Sequence, residues 1–179
     1  EKSDRSGDVI SDLGTAYDVA GTADSTTWTK DARPTRGDAT WSARAEGYTA
    51  DGEPVWQRVT ATEYDTLGRA TVVTNSAGAT NTTAYTPAGA EPLTKLTSKN
   101  GAGHTTTTTL DPAWQVPLVV TDTNGNRTES VYDGLGRLLK VWLPIRSRVG
   151  SGSQELPANL VFGYQVSNNG PSWVSTSTL

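Results

Sequence analysis

The chain lacks several kinds of residue, and each absence excludes a class of chemistry. None of its 179 residues is a cysteine, so it can form no disulfide bond, thiol nucleophile or cysteine-ligated zinc site. Its only histidine, His104, follows a glycine turn, which predicts a surface residue instead of a general base or metal ligand. No apolar run approaches the roughly 18 residues that a membrane span requires. The composition therefore predicts no membrane span, no metal site and no cofactor.

Other absences concern partners and the extent of the chain. Methionine is missing even at position 1, and residues 173–179 end the sequence in a strand-like pattern. We therefore expect this chain to be a fragment of a longer polypeptide, with no signal peptide at its start. The formal net charge of −4 gives no electrostatic reason to bind nucleic acid, so no such partner is predicted.

A repeated sequence motif is the most informative feature that is present. Residues 64–69 read Tyr-Asp-Thr-Leu-Gly-Arg, and residues 132–137 read Tyr-Asp-Gly-Leu-Gly-Arg. Two less regular copies begin between them, at Tyr85 and Leu110, so that successive copies start 21 to 25 residues apart. Such spacing indicates a tandem array, in which one supersecondary unit stacks on the next. Arrays of this kind usually act through an assembled surface or cavity.

The residues within each copy predict a strand, a turn and a second strand. Runs rich in β-branched and aromatic residues occupy 69–74, 93–97, 116–121 and 137–142, and return runs occupy 80–85, 105–110 and 127–132. The turns contain Gly78, Gly103 and Gly125, each seven residues before the next copy. Gly125 is expected to need a positive φ. An Asp-x-x-Gly corner closes the unit, and no useful helical period occurs, so the predicted fold is all-β and antiparallel.

The motif resembles the YD repeat of the Rhs family, which includes bacterial Rhs proteins, the C components of Tc toxin complexes and teneurins. The motif residues and the other landmarks of the array are Tyr64, Asp65, Leu67, Gly68, Arg69, Gly78, Tyr85, Gly103, Gly125, Tyr132, Asp133, Leu135, Gly136 and Arg137. The resemblance is clearest over residues 48–143. It implies a long β-sheet that curves and spirals into a hollow shell, commonly around a toxin domain at the C-terminal end of the same chain.

The resemblance also implies a function, which is structural and not enzymatic. The expected partners are an encapsulated effector polypeptide and the rest of the shell, and the expected location is secreted or at the cell surface. The family often carries a self-cleaving aspartyl-type site near the end of its shell. Asp111-Pro112 lies inside the third copy and is no convincing match, so this activity is not expected here.

The sequence divides into zones of different regularity. They are an irregular β-rich N-terminal part at 1–47, the repeat array at 48–143, a loop or linker at 144–158, and a β-hairpin at 159–179 that continues the array. The loop has the composition of a linker. Its basic residues, Arg146 and Arg148, are predicted to be solvated.

Structural roles explain the motif residues better than catalytic roles. Asp65 and Asp133 recur at one repeat position, so we expect them to accept backbone N–H bonds in the corner and not to form a catalytic carboxylate pair. Tyr64 and Tyr132 are expected to cover the face of the neighbouring unit and to satisfy their hydroxyls at its edge. The arginine that ends each motif is expected to pair with a carboxylate or with carbonyls across units.

An extracellular carbohydrate-binding or adhesion module is the alternative. Exposed indole rings of Trp28, Trp41, Trp56 or Trp114 would stack on the apolar faces of glycans. Residues 122–126 imitate the start of a calcium loop. Glycine stands at position four instead of six and no helices flank the segment, so repeat-turn chemistry is the favoured interpretation.

Overall fold

The computed structural model of this chain is all-β. It describes residues 11–18, 33–146, 148–149 and 154–179, and these residues include twelve strands and no helix. The strands are β1 (Leu13–Tyr17), β2 (Ala39–Tyr48), β3 (Pro54–Tyr64), β4 (Ala70–Asn75), β5 (Thr80–Thr86), β6 (Lys95–Lys99), β7 (Thr105–Leu110), β8 (Pro117–Thr121), β9 (Arg127–Tyr132), β10 (Leu138–Trp142), β11 (Leu160–Gln165) and β12 (Trp173–Thr178). Since no helix is described, the described residues contain none that could span a membrane.

Sheet connectivity is as simple as it can be, because each strand is hydrogen-bonded to the next one in the sequence. The pairings along the described strands are antiparallel. Neighbours in sequence can pair this way through short turns, without crossover connections. The chain forms two compact units, residues 1–83 and 84–179, and the boundary falls within β5. The predicted all-β, antiparallel strand–turn–strand fold is confirmed.

The strands form where the sequence places β-branched and aromatic residues. The predicted runs 69–74 and 137–142 correspond to β4 and β10, and the threonine run is β7. Regular pairing is already present before residue 48, because β2 begins at Ala39 and ends at Tyr48. The predicted boundary between residues 47 and 48 therefore falls inside a strand. The predicted C-terminal hairpin is confirmed as β11 paired with β12.

The first unit has a small core around two tryptophans. Ala16, Trp41 and Ala43 are buried, and Trp56 packs against them in an edge-to-face contact with Trp41 at 6.4 Å between ring centroids. A Cβ at Gly14 would lie 3.2 Å from the Trp56 ring, so glycine allows the β1 backbone to approach the indole.

The second unit buries Trp142 beneath the segment that follows β10. Trp142 is 1% exposed, and its indole N–H donates to the carbonyl of Leu156 at 2.8 Å. The guanidinium of Arg148 lies 5.1 Å from the ring centroid, and its Nη2 is 3.2 Å from a carboxylate oxygen of Glu155. The other oxygen of Glu155 accepts a 2.8 Å bond from Lys140. Arg148, which was predicted to be solvated, keeps 37% of its side chain exposed and also contacts Trp142 and Glu155.

Candidate functional site

One turn geometry recurs through the described chain. Five turns begin with Asp or Asn and carry glycine three residues later: 65–69, 75–79, 100–104, 122–126 and 133–137. In each, the first N–H donates to the carbonyl four residues on at 2.9 to 3.0 Å, and the glycine N–H donates to the first carbonyl at 2.9 to 3.1 Å. Hairpins with a type I turn and a following left-handed glycine have this pattern. The Asp-x-x-Gly corners and the Asn-x-x-Gly turns are thus one structure.

The left-handed position of these turns is always glycine. The φ angles of Gly68, Gly78, Gly103, Gly125 and Gly136 lie between 74° and 87°. A residue with a Cβ is strained there, whereas glycine is not. The expectation that Gly125 needs a positive φ is confirmed.

The aspartates of the two full motifs close their turns through their side chains. Oδ1 of Asp65 accepts the N–H groups of Leu67 and Arg69, both at 2.9 Å. Asp133 repeats both bonds with Leu135 and Arg137, also at 2.9 Å. The predicted role as acceptors in the corner is confirmed.

Each motif arginine returns to the aspartate of its own turn. Nε of Arg69 lies 2.6 Å from Oδ2 of Asp65, and Nε of Arg137 lies 2.7 Å from Oδ2 of Asp133. Both of these ion pairs therefore lie within one turn, whereas the sequence predicted a carboxylate or carbonyls across units. Arg137 does reach across units, since its guanidinium lies 4.8 Å from the ring centroid of Tyr164.

These contacts keep both carboxylates ionised. Desolvation raises the pKa of Asp65, but hydrogen bonds from the Arg69 backbone and side chain outweigh it and leave the pKa below its ordinary value. The backbone N–H of Arg137 is the largest cause of the lowered pKa of Asp133. A general acid would need a raised pKa, so the lowered pKa values suit carboxylates that close turns.

Tyrosine hydroxyls tie the end of one strand to the start of the preceding strand. Tyr64 donates to the carbonyl of Ala39 at 3.0 Å, and Tyr132 donates to that of Pro117 at 3.1 Å. The predicted use of these hydroxyls at a neighbouring edge is confirmed. Tyr164 donates to Leu138 at 2.8 Å in the same way. The repeat motif does not predict this role of Tyr164, because no Asp-x-x-Gly follows it; a tyrosine near the end of a strand was the available signal.

The remaining landmark of the array, Tyr85, is half-buried near the end of β5. Leu110 takes the equivalent place in β7 and is buried. The turn after it is one residue longer than the others. Its left-handed residue is Gln115, with φ of 55°, and Trp114 precedes it.

Side-chain bonds hold this longer turn. Oδ1 of Asp111 accepts the N–H groups of Ala113 and Trp114 at 2.8 and 2.9 Å. The amide of Gln115 donates to the carbonyls of Leu93, Asp111 and Pro112 at 3.0 to 3.3 Å. The strain of a non-glycine residue at positive φ is offset by these bonds.

One further version of the aspartate turn, which begins at Asp18, carries a long insertion. Asp18 donates its N–H to the carbonyl of Asp38 at 2.8 Å and accepts the N–H of Asp38 on Oδ1 at 2.9 Å, as Asp65 does with Arg69. Gly37, with φ of 83°, stands 19 residues after Asp18 instead of three. Most of the inserted residues, 19–32, lie outside the described part of the chain.

The Asp18 carboxylate binds the backbone at the C-terminal end of the insertion. Its Oδ2 accepts N–H groups from Thr35, Arg36 and Gly37 at 2.5, 2.8 and 3.2 Å. These bonds, that of Arg36 foremost, hold the pKa of Asp18 far below its ordinary value. The sequence alone does not locate the returning strand, because the closing glycine is remote from Asp18.

The strands of the second unit sort their charges onto one face. Paired residues of an antiparallel sheet point to the same side, and successive residues alternate. By this register, the charged face carries Lys95, Lys99, Arg127, Glu129 and Lys140, which are all the charged residues of β6–β12. The opposite, charge-free face carries Leu96, Ser98, Thr106, Thr108, Val120, Thr128, Ser130, Val141, Leu160, Phe162, Tyr164, Val174, Thr176 and Thr178.

The tryptophans proposed for glycan stacking have different environments. Trp41 is 2% exposed, and Trp56 is packed against it, so neither presents an open ring. Trp114 is 52% exposed. Trp28 lies outside the described residues.

The other sequence candidates are accounted for by turns. His104 is exposed, as predicted, and closes the 100–104 turn through its backbone. Asp122 accepts the N–H groups of Asn124 and Asn126 on Oδ1, and the Asn126 amide on Oδ2 at 2.8 Å. Both oxygens therefore serve the turn. Across the described ranges, no group of three or more histidine, aspartate or glutamate side chains is placed to hold a metal.

No family model matches this chain, and no curated protein matches it.

Proposed function

We propose that this chain is a segment of the wall of an Rhs-type YD-repeat shell that encloses and protects an effector polypeptide for delivery. The observation that carries the proposal is the regular array itself: turns of one geometry, five of them begun by Asp or Asn, join antiparallel strands, and the strand residues on one face of β6–β12 include no charged residue. A wall needs repeated closure and two different faces, and it needs no catalytic group. The chain has no enzymatic role in this proposal.

The mechanism is steric. A sheet denies proteases access to the polypeptide behind it, because its backbone groups are already paired and its turns are closed. The charge-free face would contact the effector, since its alkyl and hydroxyl groups are less costly to remove from water than ammonium or carboxylate groups. The charged face would remain in contact with water. The polypeptide would be secreted or located at the cell surface.

The test uses the full polypeptide that contains this chain. We expect limited proteolysis of the native polypeptide to spare the effector region, and mild denaturation to make that region as sensitive as an effector expressed alone. Thr108→Lys in the full polypeptide should make the protease digest the effector region faster. Thr107→Lys, one residue away on the charged face, should leave the rate of digestion unchanged. An effector region digested equally fast in the native and denatured polypeptide would refute the proposal.

The carbohydrate-binding alternative has one observation in its favour, the exposed indole of Trp114. Its ring covers Gly136, since a Cβ there would lie 2.9 Å from Cδ2 of Trp114, and this contact fixes the ring's position. A preorganised aromatic ring suits an apolar sugar face. Glycan-dependent quenching of tryptophan fluorescence that Trp114→Ala abolishes and Trp173→Ala preserves would favour the binding module; Trp173 is the matched control because it is also 52% exposed.

A further inference from the structure

Three Asn-Gly pairs occur in the chain, and the structure gives each a different environment. They are Asn100-Gly101, Asn124-Gly125 and Asn169-Gly170. All three asparagines are exposed and lie in connections between strands. Asn-Gly pairs are open to one spontaneous modification, because glycine has no side chain to hinder attack by its nitrogen on the preceding amide.

In two of the pairs, hydrogen bonds of the turn restrain a group that would have to move for the reaction. Oδ1 of Asn100 accepts the N–H groups of Ala102 and His104, both at 3.0 Å, so its amide must break two bonds before it can turn toward Gly101. The Gly125 nitrogen would attack Asn124, but its N–H donates to the carbonyl of Asp122 at 3.1 Å. Each restraint belongs to the recurring turn.

The third pair has no comparable restraint. Asn169 donates its backbone N–H to Oγ of Ser167 at 3.3 Å, a long bond. Among the described residues, neither the Asn169 side chain nor the Gly170 N–H has a hydrogen-bond partner. The connection between β11 and β12 also lacks the turn geometry of the array.

We propose that Asn169 is a site of self-catalysed deamidation, and that the turns protect Asn100 and Asn124 from it. The Gly170 nitrogen loses its proton and attacks Cγ of Asn169. A new N–Cγ bond closes a succinimide ring, while the Cγ–Nδ2 bond breaks and the nitrogen leaves with the proton as ammonia. Water then opens the ring at either carbonyl, which yields aspartate or isoaspartate.

The modification changes a segment that is otherwise uncharged, since residues 156–179 contain no Asp, Glu, Lys, Arg or His. It places one negative charge between β11 and β12. Its isoaspartate product also lengthens the backbone of the connection by a methylene group. The β11–β12 hairpin would therefore exist in an original and an aged form.

The test follows all three asparagines in one sample. The chain is incubated in mildly alkaline buffer, folded or in denaturing urea, and peptide mass spectrometry separates asparagine, aspartate and isoaspartate. In the folded chain we expect Asn169 to react about tenfold faster than Asn100 or more, since the latter must first break two hydrogen bonds. In urea the three rates should converge.

The variants distinguish structure from local sequence. Gly170→Ala should slow the reaction at residue 169, and Asn100→Asp, which keeps an acceptor in the turn, should leave it unchanged. Asn100 or Asn124 reacting as fast as Asn169 in the folded chain would overturn the proposal. The same ranking in urea as in the folded chain would overturn the protective role of the turns.

Discussion

Single carboxylates decide how this chain closes its turns, and Asp18 is the clearest case. It sits at a φ of 57° and accepts four backbone N–H groups from residues 35–38, so one side chain replaces a tight turn. An aspartate tolerates the left-handed region better than most residues. Although the insertion lengthens the connection, the aspartate side chain still accepts the backbone N–H bonds that close the turn.

The lowered pKa of Asp18 predicts a pH dependence of stability. A carboxyl whose pKa is depressed by folding stabilises the fold above the pKa of the unfolded chain, about 4, and loses that contribution as pH falls toward the folded value. We therefore expect the free energy of unfolding to fall below about pH 4, and to fall less steeply in Asp18→Asn. Urea titrations across this range measure it.

The control for this prediction is Asp51→Asn, which removes the same charge from an exposed turn. It should keep the wild-type slope. Asp65, Asp122 and Asp133 also have lowered pKa values, so some acid sensitivity should persist in every variant. Identical slopes for Asp18→Asn and wild type would contradict the assigned role.

Elements of the array contact each other through their turns, and Gly136 tests this. Alanine at Gly136 or Gly125 would be strained by about 1 kcal/mol, because both φ angles are positive. At Gly136 the Cβ would also lie 2.9 Å from the Trp114 ring, whereas nothing lies within 4 Å at Gly125. We therefore expect Gly136→Ala to lower the free energy of unfolding, measured in urea, by roughly 1–2 kcal/mol more than Gly125→Ala does.

The Trp114→Ala background supplies the control for that comparison. With the indole removed, Gly136→Ala should cost no more than Gly125→Ala, and the double-mutant cycle should show coupling. An unchanged difference between the two alanine variants would mean that the ring contact is not the cause.

The segment after β10 is held by packing on Trp142 and by the ion pairs of Glu155, and we expect the packing to contribute more to stability. Trp142 is 1% exposed, so Trp142→Ala should cost about 3–5 kcal/mol. Glu155 is 42% exposed, and water screens its pairs with Lys140 and Arg148. Glu155→Gln should therefore leave the urea midpoint nearly unchanged. A loss as large as that of Trp142→Ala would show that the ion pairs hold the segment.

Sequence predicted the elements far better than it predicted their long-range contacts. β4, β7 and β10 could be located because β-branched runs and turn glycines are local signals. The covering of Trp142 could not, since a stretch of Gly and Ser has the composition of a linker whatever lies beside it. The ion pair within each motif could not be predicted from the repeat spacing, because it depends on the five-residue turn that brings each arginine back to its own aspartate.

At the scale of the whole molecule, the two faces of the second unit differ in what they expose to solvent. No strand residue of β6–β12 on the charge-free face is charged, and the Arg137 guanidinium from the turn before β10 lies over Tyr164 on this face. Thr107 and Thr108 are adjacent, equally half-buried and on opposite faces: Thr107 pairs with Thr97 and Thr121, and Thr108 with Leu96 and Val120. They form a matched pair for testing the faces separately.

We expect the isolated chain to self-associate through the charge-free face, because an uncovered face without charge is a site of association. Thr108→Lys should weaken association by about tenfold or more, since a lysine in the contact loses hydration, whereas Thr107→Lys should leave it near the wild-type value. Sedimentation velocity over a concentration series measures both. Equal weakening by the two variants would mean that net charge controls association; no weakening by either would place the contact at strand edges instead of the face.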